Sequence, residues 1–325
     1  MDNVRWGIAA TGGIARKFAE GLGRLKDADL VAVASRSKAR ADDFANQFGI
    51  AHRHGHYEAL AEDNDVEVVY VASPHARHYP DAMLFLEAGK NVLCEKPLAL
   101  NALQAERMCE FARSRGLFVM EAVWSRFLPA YQALGRLLEE HAIGDPLLVE
   151  ADFGFRMPVM PAHRLFDLSL GGGALLDLGI YPLQLASLVL GTPDTVKAVA
   201  HLGETGVDEL TAAVLHHPGG QLATIKASIR AGLSNTARIT ASDGVITLPA
   251  FMHCPDHISV TSADRAQVIN APMDGNGLHY EAIEVQRCLR DGLLESPRIP
   301  HSDTLSLAAT MDQIRFQIGL KYPDE

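Results

Sequence analysis

Three ionisable side chains stand where protons and charge could be moved: Lys96, Asp177 and Tyr181. Glu95-Lys96-Pro97 follows the apolar run Asn91-Val-Leu-Cys94. In an open α/β sheet, ligands gather beyond the carboxyl ends of the strands, so a lysine there, stiffened by Pro97, lies where a cofactor and a substrate would meet. The plain alternative is a surface lysine in a loop. Far along the chain, Gly171-Gly-Gly-Ala-Leu-Leu-Asp-Leu-Gly-Ile-Tyr-Pro182 leads into a helix that runs on to residue 190. Asp177 and Tyr181 are four apart and share a face near its start. A phenol and a carboxylate on one face can exchange a proton with a substrate hydroxyl and orient it. Each residue also has an ordinary explanation. The helix dipole alone favours an aspartate near the first turn, a tyrosine at helical spacing is often core, and Pro182 is tolerated in the first turns or at a kink.

A second set of residues has phosphate-binding spacing. Ala10-Thr11-Gly12-Gly13-Ile14-Ala15 follows a strand at 4–9 and opens a helix with Ile14, Phe18 and Leu22 on one face. Against the dinucleotide fingerprint G-x-G-x-x-G/A the match is Ala10, Gly12 and Ala15. Gly12 lets backbone approach a pyrophosphate, and Ala15 is small enough for close helix–strand packing. The helix start offers free N–H groups and a positive dipole end. An ordinary βα turn of small residues is the alternative. After the second strand, at 30–34, comes Ser35-Arg36-Ser37-Lys38. NAD enzymes place a carboxylate near this strand end for the ribose 2′-hydroxyl. None is here, and Ser35, Arg36 and Lys38 offer donors and positive charge for a 2′-phosphate instead. The expected cofactor is NADP, with NAD as the alternative. Arg36 and Lys38 are otherwise solvated residues at a helix start.

The elements that must position these groups alternate. A buried strand at 66–72 ends in Ser73-Pro74-His75, and a helix begun by His78 closes at Gly89. Asn101 caps a helix at 101–115, and a strand at 117–121 completes a parallel, doubly wound sheet. His52, His54 and His56 alternate and could face one metal. No metal site is expected, because no nearby carboxylate or cysteine completes one and Gly55 suggests a turn.

From about residue 124 the grammar changes. Trp124, Arg126 and Phe127 suit a cleft wall, or Trp124 simply staples two domains. A helix at 129–140 precedes strands at 147–155, 196–202, 210–216, 222–230, 236–240, 245–248, 258–262 and 267–270. Helices at 279–293 and 302–320 end the chain. The expected fold is α/β. A Rossmann doubly wound parallel sheet occupies residues 1–123, and an α+β domain with a large, mostly antiparallel open-faced sheet occupies 124–325. A free, partly apolar sheet face is a natural oligomer interface.

Composition excludes several classes of function. With 29 basic against 40 acidic residues the formal charge is −11, and no Lys/Arg run appears, so neither nucleic acid nor an anionic membrane surface is an expected partner. No apolar run approaches the ~18 residues of a membrane span. The four cysteines form no C-x-x-C pair and read as reduced thiols of a cytoplasmic protein. No signal peptide is expected before the first strand.

Together, the N-terminal dinucleotide pattern, Glu95-Lys96-Pro97, and Asp177 with a partner four residues on resemble the Gfo/Idh/MocA oxidoreductases. Most members carry histidine where Tyr181 stands. The tyrosine, with Met120-Glu-Ala-Val-Trp-Ser-Arg-Phe127, Glu204-Thr-Gly-Val-Asp208 and Leu233-Ser-Asn-Thr236, is similar to the branch of dimeric dihydrodiol dehydrogenase and NADP-dependent D-xylose dehydrogenase. The resemblance covers essentially the whole chain. It implies hydride transfer between NADP and a ring hydroxyl or carbonyl of a sugar, cyclic polyol or trans-dihydrodiol. Tyr181 would be the acid/base and Lys96 the cation that favours its phenolate and binds substrate oxygen and cofactor ribose. Asp177 would orient Tyr181 or hold a second hydroxyl. Cofactor contacts are expected from Ala10, Thr11, Gly12, Gly13, Ile14, Ser35, Arg36, Lys38, Ser73, His75, His78, Glu95 and Lys96, and substrate contacts from Trp124, Arg126, Phe153 and Asp177. A homodimer or tetramer through the open sheet face is implied. The competing class is a non-catalytic NAD(P)-binding sensor of the same superfamily. Retained Lys96 and the ionisable Asp177–Tyr181 pair argue against it.

Overall fold

The computed structural model of the protein describes residues 3–263, 266–323 and 325. The chain forms two compact units, Met1–Trp124 with Asp274–Thr304, and Ser125–Met273 with Leu305–Glu325.

In the first unit the elements run β1 (Val4–Ala9), α1 (Gly13–Leu22), β2 (Ala28–Ala34), α2 (Lys38–Phe48), β3 (His52–His54), α3 (Tyr57–Ala61), β4 (Val68–Val71), α4 (His75–Glu87), β5 (Asn91–Glu95), α5 (Ala102–Ser114) and β6 (Val119–Ala122). The sheet is parallel throughout, in the order β3-β2-β1-β4-β5-β6. The strand order reverses between β1 and β4, and such a switch point opens a crevice at the carboxyl ends of the strands. The strands β4 and β5 are apolar with little alternation because helices cover both faces. Phe18 of α1 stacks on Tyr70 of β4 at 3.8 Å between ring centroids.

The alternating histidines part company. His52 and His54 both turn to Asp63, which the fold brings to them. His56 accepts the Ala59 N–H and caps α3. The expectation that no carboxylate lies near these histidines is thus corrected: Asp63 is eleven residues beyond His52 and far from it only along the chain.

The second unit holds α6 (Pro129–Glu139), β7 (Pro146–Gly154), α7 (Ile180–Leu190), β8 (Thr195–Leu202), β9 (Asp208–His216), β10 (Leu222–Ser228), β11 (Ala237–Ala241), β12 (Gly244–Leu248), β13 (His257–Ser262) and β14 (Ala266–Asn270). Their order is β14-β13-β12-β11-β7-β10-β9-β8, antiparallel except where β10 meets β7. Along β10, Ala223, Ile225 and Ala227 are buried while Lys226 faces out, the period-two pattern of a sheet covered on one side. The covering element is α7, packed on β7 and β10. The stretch Leu168–Leu190, 23 residues, is long and apolar enough to cross a membrane, which corrects the reading that no run approaches that length. Within that stretch 78% of the apolar window is buried inside the protein.

Two helices end the chain, α8 (His279–Arg290) and α9 (His301–Ile318). The sequence reading placed α8 in the second domain, but it belongs to the first unit. Gln286 accepts the Trp6 indole N–H at 3.4 Å, and Gly21 of α1 lies so close to His279 that a Cβ there would meet its backbone at 3.1 Å. A chain that leaves the parallel sheet and returns to cover it leaves no local sequence signal.

Candidate active site

In the first unit, the candidate groups gather at the carboxyl ends of the strands. Gly12 caps α1 with no side-chain cap, and the space where a Cβ would stand on Gly12 or Gly13 is open. Uncapped N–H groups and clear approach for a bulky anion fit a pyrophosphate. Thr11 is half-buried, and Gly12, Gly13 and Ile14 are exposed. Ala10 holds φ +96°, the conformation for which the fingerprint places a glycine. Beyond β2, Ser35 is buried, its N–H donating to His54 O at 3.1 Å and its Oγ accepting the Ser37 N–H. Arg36 is exposed, while Lys38 is paired with Asp42 one turn along α2. Of these two cations, Arg36 is the better placed for a phosphate.

Lys96 is buried, and its turn is pinned from three sides. Glu95 accepts the Tyr70 hydroxyl and, through its other oxygen, the Lys96 N–H at 3.2 Å. Glu121, at the end of β6, accepts the Leu98 N–H at 2.9 Å. His78 Nδ1 lies 2.7 Å from Pro97 O and its Nε2 2.8 Å from Ser73 O. Burial pushes the His78 imidazole down to about 3, so the ring is neutral and has one N–H to give to the two carbonyls. His78 therefore straps the turn after β4 to the turn after β5, with its ring enclosed in protein. His75 packs edge-on against it, with 5.5 Å between centroids. Beneath this group, burial first and the charge of Glu95 second push the Glu281 carboxyl of α8 well above the carboxylate range. Sequence reasoning missed Tyr70, Glu121 and Glu281, because nothing in their local patterns distinguishes them from core or surface positions.

In the second unit, Asp177 and Tyr181 stand on one helical segment. Leu175–Gly179 is a wider, π-type turn, and α7 follows directly. Asp208 sets its start: Oδ2 accepts the Leu175 N–H at 2.8 Å and the Thr211 hydroxyl at 2.6 Å. Gly173, at φ +118°, must be glycine, since a Cβ would come within 2.1 Å of Asp208 Oδ1. Burial pushes Asp208 up to about 7 against the pull of these donors.

Asp177 receives Arg164 through both carboxylate oxygens, at 3.0 and 3.3 Å. Tyr181 is buried against two rings: Phe153 edge-on at 5.6 Å and His253 at 4.9 Å between centroids. His253 also stacks on Phe153 at 4.4 Å. Arg126 donates from Nε to Gln184 Oε1 at 2.9 Å, three residues beyond Tyr181. Trp124 is half-buried and belongs to the first unit. The second unit thus collects Tyr181, Asp177, Phe153 and Arg126 from the expected set and adds Arg164 and His253. Arg164 opens a one-turn 3-10 helix and His253 lies in a turn, so no periodicity could flag them.

Two family descriptions match this chain: "Oxidoreductase family, NAD-binding Rossmann fold" over residues 4–123 and "GFO/IDH/MocA C-terminal domain" over 131–247. A trans-1,2-dihydrobenzene-1,2-diol dehydrogenase of Danio rerio is 40% identical over 332 residues, with 99% of each chain covered. The chain belongs to the GFO/IDH/MocA oxidoreductase family. The Mus musculus protein of the same name is 39% identical over 333 residues, again with 99% of each covered. Among solved structures, KijD10, a 3-ketoreductase from Actinomadura kijaniata in complex with NADP and TDP-benzene, is 29% identical with a TM-score of 0.87 over 98% of each chain. An aldose-aldose oxidoreductase from Caulobacter crescentus reaches a TM-score of 0.89 over 97% of each chain at 23% identity, a likeness of fold alone. The sequence resemblance and the two-sheet fold class are borne out. This member of the GFO/IDH/MocA family is a dehydrogenase with an NAD(P)-binding Rossmann domain.

Proposed function

We propose that this enzyme is an NADP-dependent dehydrogenase acting on a ring hydroxyl, with a trans-dihydrodiol as its first substrate class and sugars or cyclic polyols as the second. The observation that carries the reading is the enclosure of Tyr181 by Phe153 and His253, with an Arg164-held carboxylate on the same helical segment. An aromatic wall suits the flat, apolar side of a cyclohexadiene, and a fixed carboxylate suits its second hydroxyl. The full-length likeness to proteins named as dihydrodiol dehydrogenases supports the same class.

The nicotinamide cofactor, when bound, supplies the hydride acceptor for oxidation and the donor for reduction. Gly12, Gly13 and the α1 amino terminus would hold its pyrophosphate, and Arg36 with Ser35 its 2′-phosphate. Among the cofactor contacts expected from sequence, His78 serves best as a strap that holds the Ser73 and Pro97 turns. Tyr181 takes the hydroxyl proton in oxidation and returns it in reduction. Lys96, buried just beyond the end of β5, would bind the substrate oxygen and the cofactor ribose. Asp177 binds the neighbouring hydroxyl.

The open face of the second unit's sheet carries Val199 and Val214 exposed, which supports self-association through that face. Sedimentation would give a dimer or tetramer, and a monomer at every concentration would remove this part of the proposal. The thiols of Cys94, Cys109, Cys254 and Cys288 are not joined in disulfides, which supports a reducing, cytoplasmic setting.

The deciding experiment follows reduced-nicotinamide absorbance with NADP or NAD and a panel of trans-dihydrodiols, aldoses and inositols. Turnover of dihydrodiols with NADP is expected. Turnover of aldoses alone would move the substrate class to sugars, and turnover with NAD alone would overturn the cofactor assignment.

A further inference from the structure

We propose that His52, His54 and Asp63 form a binding site for a divalent cation of the zinc class, on the edge of the first unit's sheet. The strand β3 is the outermost of the six, and its alternation puts His52 and His54 on one side. His52 Nδ1 stands 2.7 Å and His54 Nε2 2.9 Å from the same oxygen, Asp63 Oδ2. All three atoms lie within 4.8 Å of one another. Two imidazoles and one carboxylate, with a fourth position for water, are the donor set that zinc accepts.

The separations are close to those of a loaded site. Ligand atoms on a tetrahedral zinc, at bonds of ~2.0–2.1 Å, stand about 3.3 Å apart. The two imidazoles need to withdraw from Asp63 by about 0.6 Å and 0.4 Å, and both are partly exposed. Asp63 is fixed. Its Oδ1 accepts the Asp65 N–H at 3.0 Å, and its carbonyl accepts Lys90 Nζ at 2.6 Å. It is nearly buried, with its side chain 7% exposed.

A metal-bound imidazole donates its other N–H to a carboxylate or carbonyl, which fixes its tautomer. Such a group is already beside His52: Asp65 Oδ2 lies 3.7 Å from Nε2. On binding, each imidazole would shift the proton it shares with Asp63 to its other nitrogen, His52 from Nδ1 to Nε2 and His54 from Nε2 to Nδ1, so that both ligand nitrogens give a lone pair to the cation and His52 Nε2–H turns to Asp65. The cation would replace the two hydrogen bonds to Asp63 Oδ2 and tie β3 to the turn before β4. Nothing in the proposed dehydrogenase chemistry uses these residues, so the site stands or falls by itself.

The test is calorimetric titration of the purified, EDTA-stripped full chain with Zn2+, beside the His54→Gln and Asp63→Asn variants. Asparagine keeps an acceptor for the Asp65 N–H, so Asp63→Asn preserves the turn while removing the charge. Circular dichroism and melting temperature without metal confirm that each variant is folded. The expected result is one Zn2+ per chain in the wild type and at least a tenfold loss of affinity in each variant. Co2+ substitution should give the intense visible bands of a four-coordinate N/O site, absent in both variants. Two surface His–Asp pairs, His216–Asp194 and His257–Asp256, serve as controls. Zinc affinity unchanged by His54→Gln and Asp63→Asn, or lost in His216→Gln or His257→Gln instead, would overturn the site.

Discussion

Arg164 grips Asp177 with two N–H groups, Nη1 to Oδ1 at 3.0 Å and Nη2 to Oδ2 at 3.3 Å. A bidentate pair fixes the plane of the carboxylate as well as its position. The guanidinium is half-exposed, so its contribution to stability is small. Its effect should fall on substrate orientation. Arg164→Ala is expected to leave the melting temperature within a few degrees of wild type and to lower kcat/KM by about tenfold, because the Asp177 carboxylate loses both bonds that fix its plane. Unaltered steady-state kinetics would show that Asp177 needs no such anchor.

Tyr181→Phe removes a single oxygen from a ring packed against Phe153 and His253. The packing survives and the proton carrier does not. A fall in kcat of roughly 10²–10⁴-fold is expected, the usual range for losing a general acid/base, with NADP affinity unchanged by fluorescence titration. Turnover at the wild-type rate would remove the phenol from the mechanism.

Arg36 is exposed beyond β2, with no carboxylate among residues 35–41. Arg36→Ala should weaken NADP by roughly ten- to hundredfold, the value of charge-assisted bonds to a phosphate, and NAD hardly at all. Equal losses for the two dinucleotides would show that no 2′-phosphate is read there.

Ala10 carries a side chain at φ +96°, where a Cβ crowds the backbone. Ala10→Gly should therefore raise stability by about 1 kcal/mol, against the usual penalty of a new glycine. The urea midpoint measures it, and a lowered midpoint would mean that the loop is not strained.

Asp208 titrates at about 7 in the folded protein because it is buried, against 3.8 in an open chain. Between about pH 4 and pH 7 the folded state keeps this proton and the unfolded chain has lost it, so stability falls as pH rises through that window. The contribution amounts to roughly a few kcal/mol at most. Comparing melting temperatures from pH 5 to pH 8, the wild type should lose more than Asp208→Asn. Parallel curves would place the titration elsewhere. Because Asp208 anchors Leu175, the same variant should also lower kcat by loosening the segment that bears Asp177 and Tyr181.

What local pattern can carry, the sequence carried. Alternating and continuous apolar runs marked the strands, since side-chain period and two-sided burial are written residue by residue. The Gly12 turn, the Asn101 cap and the Glu95-Lys96-Pro97 strand end were legible for the same reason: each is made by neighbours in the chain. Asp177 and Tyr181 were legible because helical spacing relates them.

Tertiary structure alone decided the rest. Arg164 reaches Asp177 across 13 residues, Asp208 reaches Leu175 across 33, and His253 meets Tyr181 from the irregular stretch after β12. The return of α8 to the first unit and the meeting of Asp63 with His52 and His54 are of the same kind. Side chains brought together by chain reversal owe their contact to packing of whole elements, and the residues themselves carry no period, cap or turn signal. The sequence determined which groups could do chemistry and on which elements they ride. The packed fold decided which partners hold them and, through burial, that His78 stays neutral while Asp208 holds its proton up to about pH 7.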